Sequence, residues 1–187
     1  ATTQQKQDYT LVLKGHIALA RQSFPSGTCG EQLDCLARQF LWNNDLNYGH
    51  GTGHGIGYFL CVHEGPQTIR PQGKGIILKP GMILSDEPGL YRTNEYGIRI
   101  ENVVVVKPKT SDTACDFLEF ETLTLFPYES KLFDFNLLTT EELQWIDNYH
   151  QRVFNEISPF LSDPKSYEWL KNKKKSTVKT IVKILAV

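Results

Sequence analysis

The chain has 187 residues, of which 40% are hydrophobic and 22% charged, and this composition predicts a soluble globular protein with a sizeable core. The formal net charge of −1 gives no reason to expect nucleic acid or an anionic membrane as a partner. No apolar run reaches the length of a membrane span, and no secretory signal opens the chain.

The cysteines are too sparse for a disulfide scaffold, and no two of them form a CxxC pair, so a zinc finger is not indicated. We therefore expect free thiols in a reducing compartment, which predicts a cytoplasmic protein. The chain begins at Ala1 without an initiator methionine, so a fragment or a processed product is expected. The four cysteines are Cys29, Cys35, Cys61 and Cys115.

Two amphipathic helices are predicted at the start of the chain. Apolar residues recur at helical spacing over residues 4–24, and a Pro-Ser-Gly sequence then ends the first helix. A second helix, capped by Thr28 or Gly30, is expected to run to about Trp42.

Strand-like segments follow a glycine-dense stretch. They are predicted at residues 57–62, 81–86, 97–106 and 120–126. A long helix capped by Thr139 or Thr140 comes next, and a short helix opens at Pro164 and continues through Leu170. This order of elements predicts an α+β fold with an antiparallel sheet covered on one face.

Two carboxylates are placed opposite each other by a predicted hairpin. The polar, turn-like residues 92–97 separate two apolar segments, and a turn centred on Asn94 pairs Glu87 with Glu101. A bulge at Pro88 would shift this register by one residue. Because like charges directly opposite each other destabilise a sheet, the pairing favours a cation, most simply a metal ion, between them.

Three histidines lie within fourteen residues of one another beside the glycine-dense stretch. His50 and His54 have the i,i+4 spacing of helical zinc ligands, but five glycines between residues 49 and 57 make a helix very costly there. The two histidines are therefore expected on an extended or looping backbone, with His63 close behind. His16 and His150, on helical faces, are interpreted as structural or surface residues.

The chemistry of this set suits a divalent metal. One imidazole with carboxylates is a ligand set for Mn, Co or Zn, and bridging carboxylates favour two ions that share a water. Arg99 lies two residues before Glu101, so on a strand both face the same side, where Arg99 orients a carboxylate or binds substrate. Tyr91 lies across the hairpin, either hydrogen-bonding into the site or simply packing.

Four sequence segments carry a resemblance to a known family. The chain resembles the Xaa-Pro aminopeptidases (aminopeptidase P) of the pita-bread metallopeptidases over most of residues 8–170. Two further segments, TTEELQWIDNYHQRVF and YEWL, resemble the C-terminal extension of the long members. The four segments are YTLVLKGHIALA, HGTGHGIGYFLCVHEGP, MILSDEPGLY and YGIRIENVVVV.

The resemblance implies a fold and a division of the chain. The expected fold is the α+β pita-bread fold, incomplete at its N-terminus. Residues 1–128 would form the C-terminal portion of the catalytic domain, residues 129–170 the helical extension, and residues 171–187 a basic and apolar tail.

The resemblance also implies a role for each matching position. His54 corresponds to the metal-binding histidine, Glu87 to a ligand that also serves as general base, and Glu101 to the bridging carboxylate. His63 corresponds to the histidine that contacts substrate near the scissile bond, and His50 to part of the proline-side pocket.

The implied reaction is hydrolysis of the bond between an N-terminal residue and a following proline, by a hydroxide that bridges two metal ions. Manganese is the expected metal, with zinc or cobalt as alternatives. Tyr91 and Arg99 resemble the pair that supports the site and binds substrate. The expected partners are peptides with proline at the second position. Because family members are often dimers, a homodimer is also expected.

The chain departs from the family by starting after the segment that carries two aspartate ligands, an upstream substrate-binding histidine and the N-terminal domains. Asp8, Asp34 and Asp45 are not expected to replace those aspartates, since they lie on or beside the first two helices. We therefore expect this chain alone to bind metal poorly and to be inactive without the N-terminal portion.

Two alternatives remain open at the level of sequence. One is a non-catalytic module that holds peptide or protein on the same fold. The other is a related peptidase, either a prolidase or a methionine aminopeptidase. Metal binding with the upstream sequence present separates the first alternative from a peptidase, and cleavage of tripeptides but not dipeptides excludes a prolidase.

Overall fold

The structure is a computed structural model that describes residues 1–59, 61–110 and 116–174. The α-helices are α1 (Thr3–Ala20), α2 (Asp34–Trp42), α3 (Thr140–Ile157) and α4 (Pro164–Lys173). The strands are β1 (Ser23–Pro25), β2 (Gly53–His54), β3 (Thr68–Ile69), β4 (Ile83–Asp86), β5 (Gly89–Arg92), β6 (Tyr96–Arg99), β7 (Asn102–Pro108) and β8 (Phe117–Thr122).

The larger of two compact units comprises residues 11–124. Its four-stranded antiparallel sheet has the strand order β1-β8-β7-β4, while β2 pairs with β3 and β5 with β6. Side chains along β7 and β8 alternate between more and less buried positions, as in a sheet covered on one face. Residues of α1, α2 and this face form one core, which includes Leu19, Ala37, Leu84, Val104 and Leu118.

The hairpin register that the sequence predicts is confirmed. Asp86 pairs with Asn102 at the end of β4, and Gly89 pairs with Arg99 at the start of β5. Between these pairs the ladder is interrupted, but the N–H of Ile100 still donates to the carbonyl of Pro88 at 3.3 Å. Pro88 therefore breaks the strand without shifting its register.

The smaller unit comprises Ala1–Thr10 and the chain from Leu125 onward. Thr139 caps α3: its hydroxyl accepts from the N–H of Glu142, whose carboxylate accepts from the N–H of Thr139. His150 on α3 is 2% exposed, and its Nε2 accepts from the N–H of Tyr128 at 3.0 Å. Burial lowers the pKa of His150, so the neutral imidazole is favoured in the fold.

The strand predicted at residues 57–62 is wrong. The described residues there form a loop in which the N–H of Gly57 donates to the carbonyl of Cys61 at 2.8 Å, and no ladder forms. Tyr58 and Phe59 are 98% and 74% exposed, so the apolar residues that suggested a strand lie at the surface. The strand predicted at 97–106 is divided in two, and the last strand begins at Phe117 and ends at Thr122.

The cysteines, the membrane-spanning potential and the division of the chain can also be compared with the predictions. Cys29, Cys35 and Cys61 form no disulfide, while Cys115 lies outside the described residues. Of the helices that the structure describes, none is long and apolar enough to cross a membrane. The predicted division at residues 128 and 170 stays a prediction, and most of the predicted tail lies beyond the described chain.

Candidate functional site

The glycine-dense stretch allows two backbones to come together closely. A Cβ on Gly53 would lie 2.0 Å from the carbonyl oxygen of Ser85, and one on Gly55 would lie 2.0 Å from that of Glu64. Only glycine fits at such distances. The Gly53 contact seats β2, and with it His54, directly against the end of β4, while the Gly55 contact holds the following loop close to β2.

His54 and Glu87 meet at this contact. The Nε2 atom of His54 lies 3.2 Å from Oε1 of Glu87. The other ring nitrogen, Nδ1, lies 3.0 Å from the carbonyl oxygen of Gly55 and must carry a proton to bond it, which leaves the Nε2 lone pair of the neutral ring facing the carboxylate. Ser85 joins the two residues, since its hydroxyl accepts from the N–H of His54 and donates to Glu87, each at 3.0 Å.

A second chain of hydrogen bonds links His50 to Arg99. The Nε group of Arg99 donates to the hydroxyl of Tyr91 at 3.0 Å, and this hydroxyl lies 2.8 Å from Nε2 of His50. Because Nδ1 of His50 donates to the carbonyl of Gly51 at 2.8 Å, Nε2 is the acceptor and Tyr91 the donor. Arg99 also lies 3.5 Å from Oε2 of Glu87.

A cavity of about 310 Å³ joins most of these groups. The exposed ring of His63 lies against that of His54, with 4.1 Å between the ring centroids. The cavity thus collects imidazoles, a carboxylate and guanidinium groups. It is lined by His50, Gly51, Gly53, His54, His63, Thr68, Arg70, Glu87 and Arg99.

Glu101 and Tyr91 are not among the residues that line the cavity. Glu101 is exposed, whereas Glu87, opposite it in register, is only 8% exposed. Within the described ranges, no three His, Cys, Asp or Glu residues converge as a metal-binding group. The imidazole nitrogen and carboxylate oxygen at His54 and Glu87 do suit a divalent ion, so this chain offers part of a metal site.

A buried polar network behind the histidines was not anticipated from the sequence. Arg38, 2% exposed, donates to both carboxylate oxygens of Asp34 and to the carbonyls of Tyr48 and His50. The hydroxyl of Thr52 donates to Asp34 at 2.6 Å. The only sequence signal was an Asp and an Arg four residues apart on a predicted helix.

A buried cluster of His16, Asp86 and Asn102 lies beside the two glutamates, since Asp86 precedes Glu87 and Asn102 follows Glu101. Nδ1 of His16 is 3.1 Å from Oδ2 of Asp86, and the amide nitrogen of Asn102 is 3.1 Å from Nε2 of His16. Burial raises the pKa of Asp86, and His16 opposes that shift. The structural role predicted for His16 is thus supported by a defined contact.

Comparison with protein families gives two matches. The model of metallopeptidase family M24 matches residues 1–108. The model of the C-terminal region of peptidase M24 matches residues 116–177. Together they account for most of the chain.

Individual relatives agree with these matches. Aminopeptidase P1 of Lotus japonicus is 48% identical over 172 residues, covering 89% of this chain and 26% of the plant protein. The structure of an X-prolyl aminopeptidase from Caenorhabditis elegans is 40% identical in sequence and superposes with a TM-score of 0.90. The match covers 94% of this chain and 29% of the other chain, which is described as a cytosolic enzyme with a di-nuclear active site. An Xaa-Pro dipeptidase from Bacillus anthracis is 30% identical with a TM-score of 0.56, covering 68% and 33%.

Proposed function

The chain belongs to metallopeptidase family M24 and has its α+β pita-bread fold, and on that basis we propose that it supplies the C-terminal part of the active site of an Xaa-Pro aminopeptidase. The observation that carries the proposal is the His54–Glu87 contact of 3.2 Å at the base of the cavity. The chain spans 26% of the Lotus japonicus protein and 29% of the Caenorhabditis elegans protein, so the rest of the active site would come from residues outside it.

His54 and Glu87 would hold a metal ion together. Nδ1 of His54 is fixed by Gly55, so its Nε2 lone pair stays directed at the cavity. Ser85 and Arg99 contact the two oxygens of Glu87, which orients the carboxylate toward the ion and toward the proton it would accept. Two divalent ions, when bound, would lower the pKa of a shared water and make it the nucleophile at neutral pH.

Glu101 would add a third ligand from the other side of the hairpin. Its register across from Glu87 supports this role, and its exposed position leaves its carboxylate accessible to an ion. Manganese is the proposed metal, with zinc or cobalt as alternatives, since one imidazole and several carboxylates are ligands that all three accept.

The remaining cavity residues would bind and orient the peptide. His63, next to His54, would contact the substrate near the scissile bond. His50, whose ring is held by Tyr91, would form the side of the pocket that receives proline. Substrates are therefore proposed to be peptides with proline at the second position. A cytoplasmic location is also proposed, from the cytosolic relative in C. elegans.

Manganese calorimetry tests the proposal on two polypeptides: this chain alone and a form extended upstream to the length of its relatives. We expect tight binding only in the extended form, together with cleavage of Arg-Pro-Pro after the first residue. If neither form binds manganese, the peptidase proposal fails. A peptide-binding module would then be the better account, in keeping with the missing third ligand among the described residues.

Substrate length separates the two peptidase candidates. The match to the X-prolyl aminopeptidase covers 94% of the chain, whereas the match to the Xaa-Pro dipeptidase covers 68%. We therefore expect the extended form to cleave Arg-Pro-Pro and to leave the dipeptide Arg-Pro intact. Preferential cleavage of the dipeptide would make the protein a prolidase.

A further inference from the structure

We propose that Asp34, Arg38 and Thr52 are positioning residues that fix His50 and the backbone of Glu87, and thereby set the geometry of the proline side of the site. This inference rests on the proposed function and adds a group of residues that do not line the cavity. It is carried by the contacts and the burial of the three side chains.

The guanidinium of Arg38 is saturated by acceptors from one loop and one helix. Its Nη1 donates to the side-chain oxygen of Asn47 at 2.9 Å and to the carbonyl of Tyr48 at 2.8 Å. Its Nη2 donates to the carbonyl of His50 at 2.7 Å. Its centre lies 3.9 Å from the centroid of the Tyr48 ring. Arg38 thus holds both the position and the direction of the backbone that carries His50.

Asp34 and Thr52 extend this hold to Glu87. Nε of Arg38 donates to Oδ2 of Asp34 at 2.6 Å, and the Thr52 hydroxyl donates to Oδ1 at 2.6 Å. The same hydroxyl lies 2.6 Å from that of Tyr48. The carbonyl of Thr52 accepts from the N–H of Glu87 at 2.7 Å. A continuous path of short hydrogen bonds therefore runs from α2 to Glu87.

Burial strengthens the hydrogen bonds among Asp34, Arg38 and Thr52. Asp34 and Arg38 are each 2% exposed and Thr52 is fully buried, so water does not compete for these bonds. Because every N–H of the Arg38 guanidinium is bonded, any other arrangement of the Asp34–Arg38 pair would leave a charged or polar atom without a partner. The pair therefore stays in this one arrangement. Lysine at position 38 would keep the charge but lose the planar fork that bonds two carbonyls and a carboxylate together.

The test compares Arg38→Lys with wild type in the full natural polypeptide that contains this chain. A displaced His50 should raise the KM for Arg-Pro-Pro about tenfold or more, with a smaller change in kcat. Phe120→Leu is the matched control: it removes volume from the same core, on β8, without touching the loop. If Phe120→Leu raises KM equally at equal loss of stability, the effect is general destabilisation and the proposal is wrong.

A spectroscopic signal reports on position independently of activity. The contacts of His50 favour one neutral tautomer, with the proton on Nδ1, because the carbonyl of Gly51 beside Nδ1 can only accept and the hydroxyl of Tyr91 beside Nε2 can donate. Nitrogen-15 spectra of the histidine rings should show that single tautomer in wild type and Phe120→Leu, and a mixture in Arg38→Lys. An unchanged His50 signal in Arg38→Lys would overturn the proposal.

A milder pair of variants covers the case in which Arg38→Lys does not fold. Thr52→Val keeps the shape and removes the hydroxyl, whereas Thr52→Ser keeps the hydroxyl. We expect the KM and tautomer changes in the valine variant and not in the serine variant; the reverse, or no change in either, would contradict the proposal. If wild type cleaves no Xaa-Pro peptide, the proposed function fails, while the ring spectra still decide whether these residues position His50.

Discussion

The Glu87 carboxylate is held by different kinds of partner on its two oxygens. Oε1 faces the imidazole of His54 and the hydroxyl of Ser85, while Oε2 faces the guanidinium of Arg99. A carboxylate held in this way is fixed in direction, which suits both a metal ligand and a proton acceptor.

Replacing Glu87 tests its double role. In the extended form, Glu87→Gln should abolish tight manganese binding and lower kcat by about a thousandfold, because the amide neither binds the ion well nor accepts the proton. Calorimetry and steady-state kinetics measure the two effects. Glu95→Gln, an exposed carboxylate in the turn between β5 and β6, should change neither quantity.

Tyr91 has a narrower role, as the donor that holds the His50 ring. Tyr91→Phe should raise the KM for Arg-Pro-Pro about fivefold, the worth of one hydrogen bond, and change kcat little. Tyr58→Phe removes a hydroxyl that is fully in solvent and serves as the control, since that residue is 98% exposed. Equal KM values in wild type and Tyr91→Phe would show that Tyr91 only packs against its neighbours.

At this scale the sequence indicates site residues better than it indicates their supports. His50, His54, His63 and Glu87 could be grouped from glycine density and a hairpin, which are local patterns. Arg38 could not, because its partners lie nine to twelve residues along the chain in a loop whose path only the folded backbone defines.

Among the elements, β2 shows most clearly how glycine positions the site. Gly53→Ala would place a Cβ 2.0 Å from the carbonyl of Ser85, so β2 would have to move away from β4. We expect a loss of about 1–3 kcal/mol in the free energy of unfolding and weaker metal binding, measured by denaturant titration and calorimetry. Gly49→Ala is the control, because a Cβ there meets nothing within 4 Å. Similar losses in both variants would contradict the close-approach argument.

Helix α3 carries the clearest pH-dependent group. The folded state lowers the pKa of His150 below its ordinary value of 6.5, so the unfolded chain binds the extra proton and stability falls as pH drops below that value. Between about pH 7.5 and about pH 5.5, the free energy of unfolding of the wild type should fall more steeply with decreasing pH than that of His150→Gln. The difference between the two slopes should reach at most about 1.4 kcal/mol per pH unit.

The elements were predicted unevenly, for physical reasons. Helices α2 and α3 and the β4–β7 register follow from periodicity and turn chemistry close in sequence. The strand predicted at residues 57–62 was wrong because a run of apolar residues in a loop cannot be told from a strand until the exposure of their side chains is known. The short strands β2 and β3, of two residues each, have no periodicity to detect.

Over a length equal to 26% of the Lotus japonicus protein and 29% of the Caenorhabditis elegans protein, the chain brings His54 and Glu87 together beside a cavity. The motifs of the sequence predicted the family and the fold, and both are confirmed, whereas the ligand set stays a prediction. The position of Glu101 relative to a bound ion could not be predicted, because it depends on donors outside this chain.

Metal removal tests the assembled molecule. Manganese at about a hundred times its Kd should stabilise the extended form by about 3 kcal/mol, and a chelator should reverse this, because the ion binds the folded state alone. Thermal unfolding with and without the metal measures the difference. This chain alone, and the extended form with Glu87→Gln, should show little change. Equal stabilisation of all three would mean that the ion binds elsewhere.

The uninterrupted register of the β4–β7 hairpin also bears on the order of folding. Its two glutamates are only fourteen residues apart, with a short turn between them, so bringing them together closes a small loop and costs little chain entropy. Contacts of such low sequence separation form quickly, whereas His54 must wait for β2 to dock against β4 from more than thirty residues away. We therefore expect the β4–β7 hairpin to form early and His54 to reach Glu87 later.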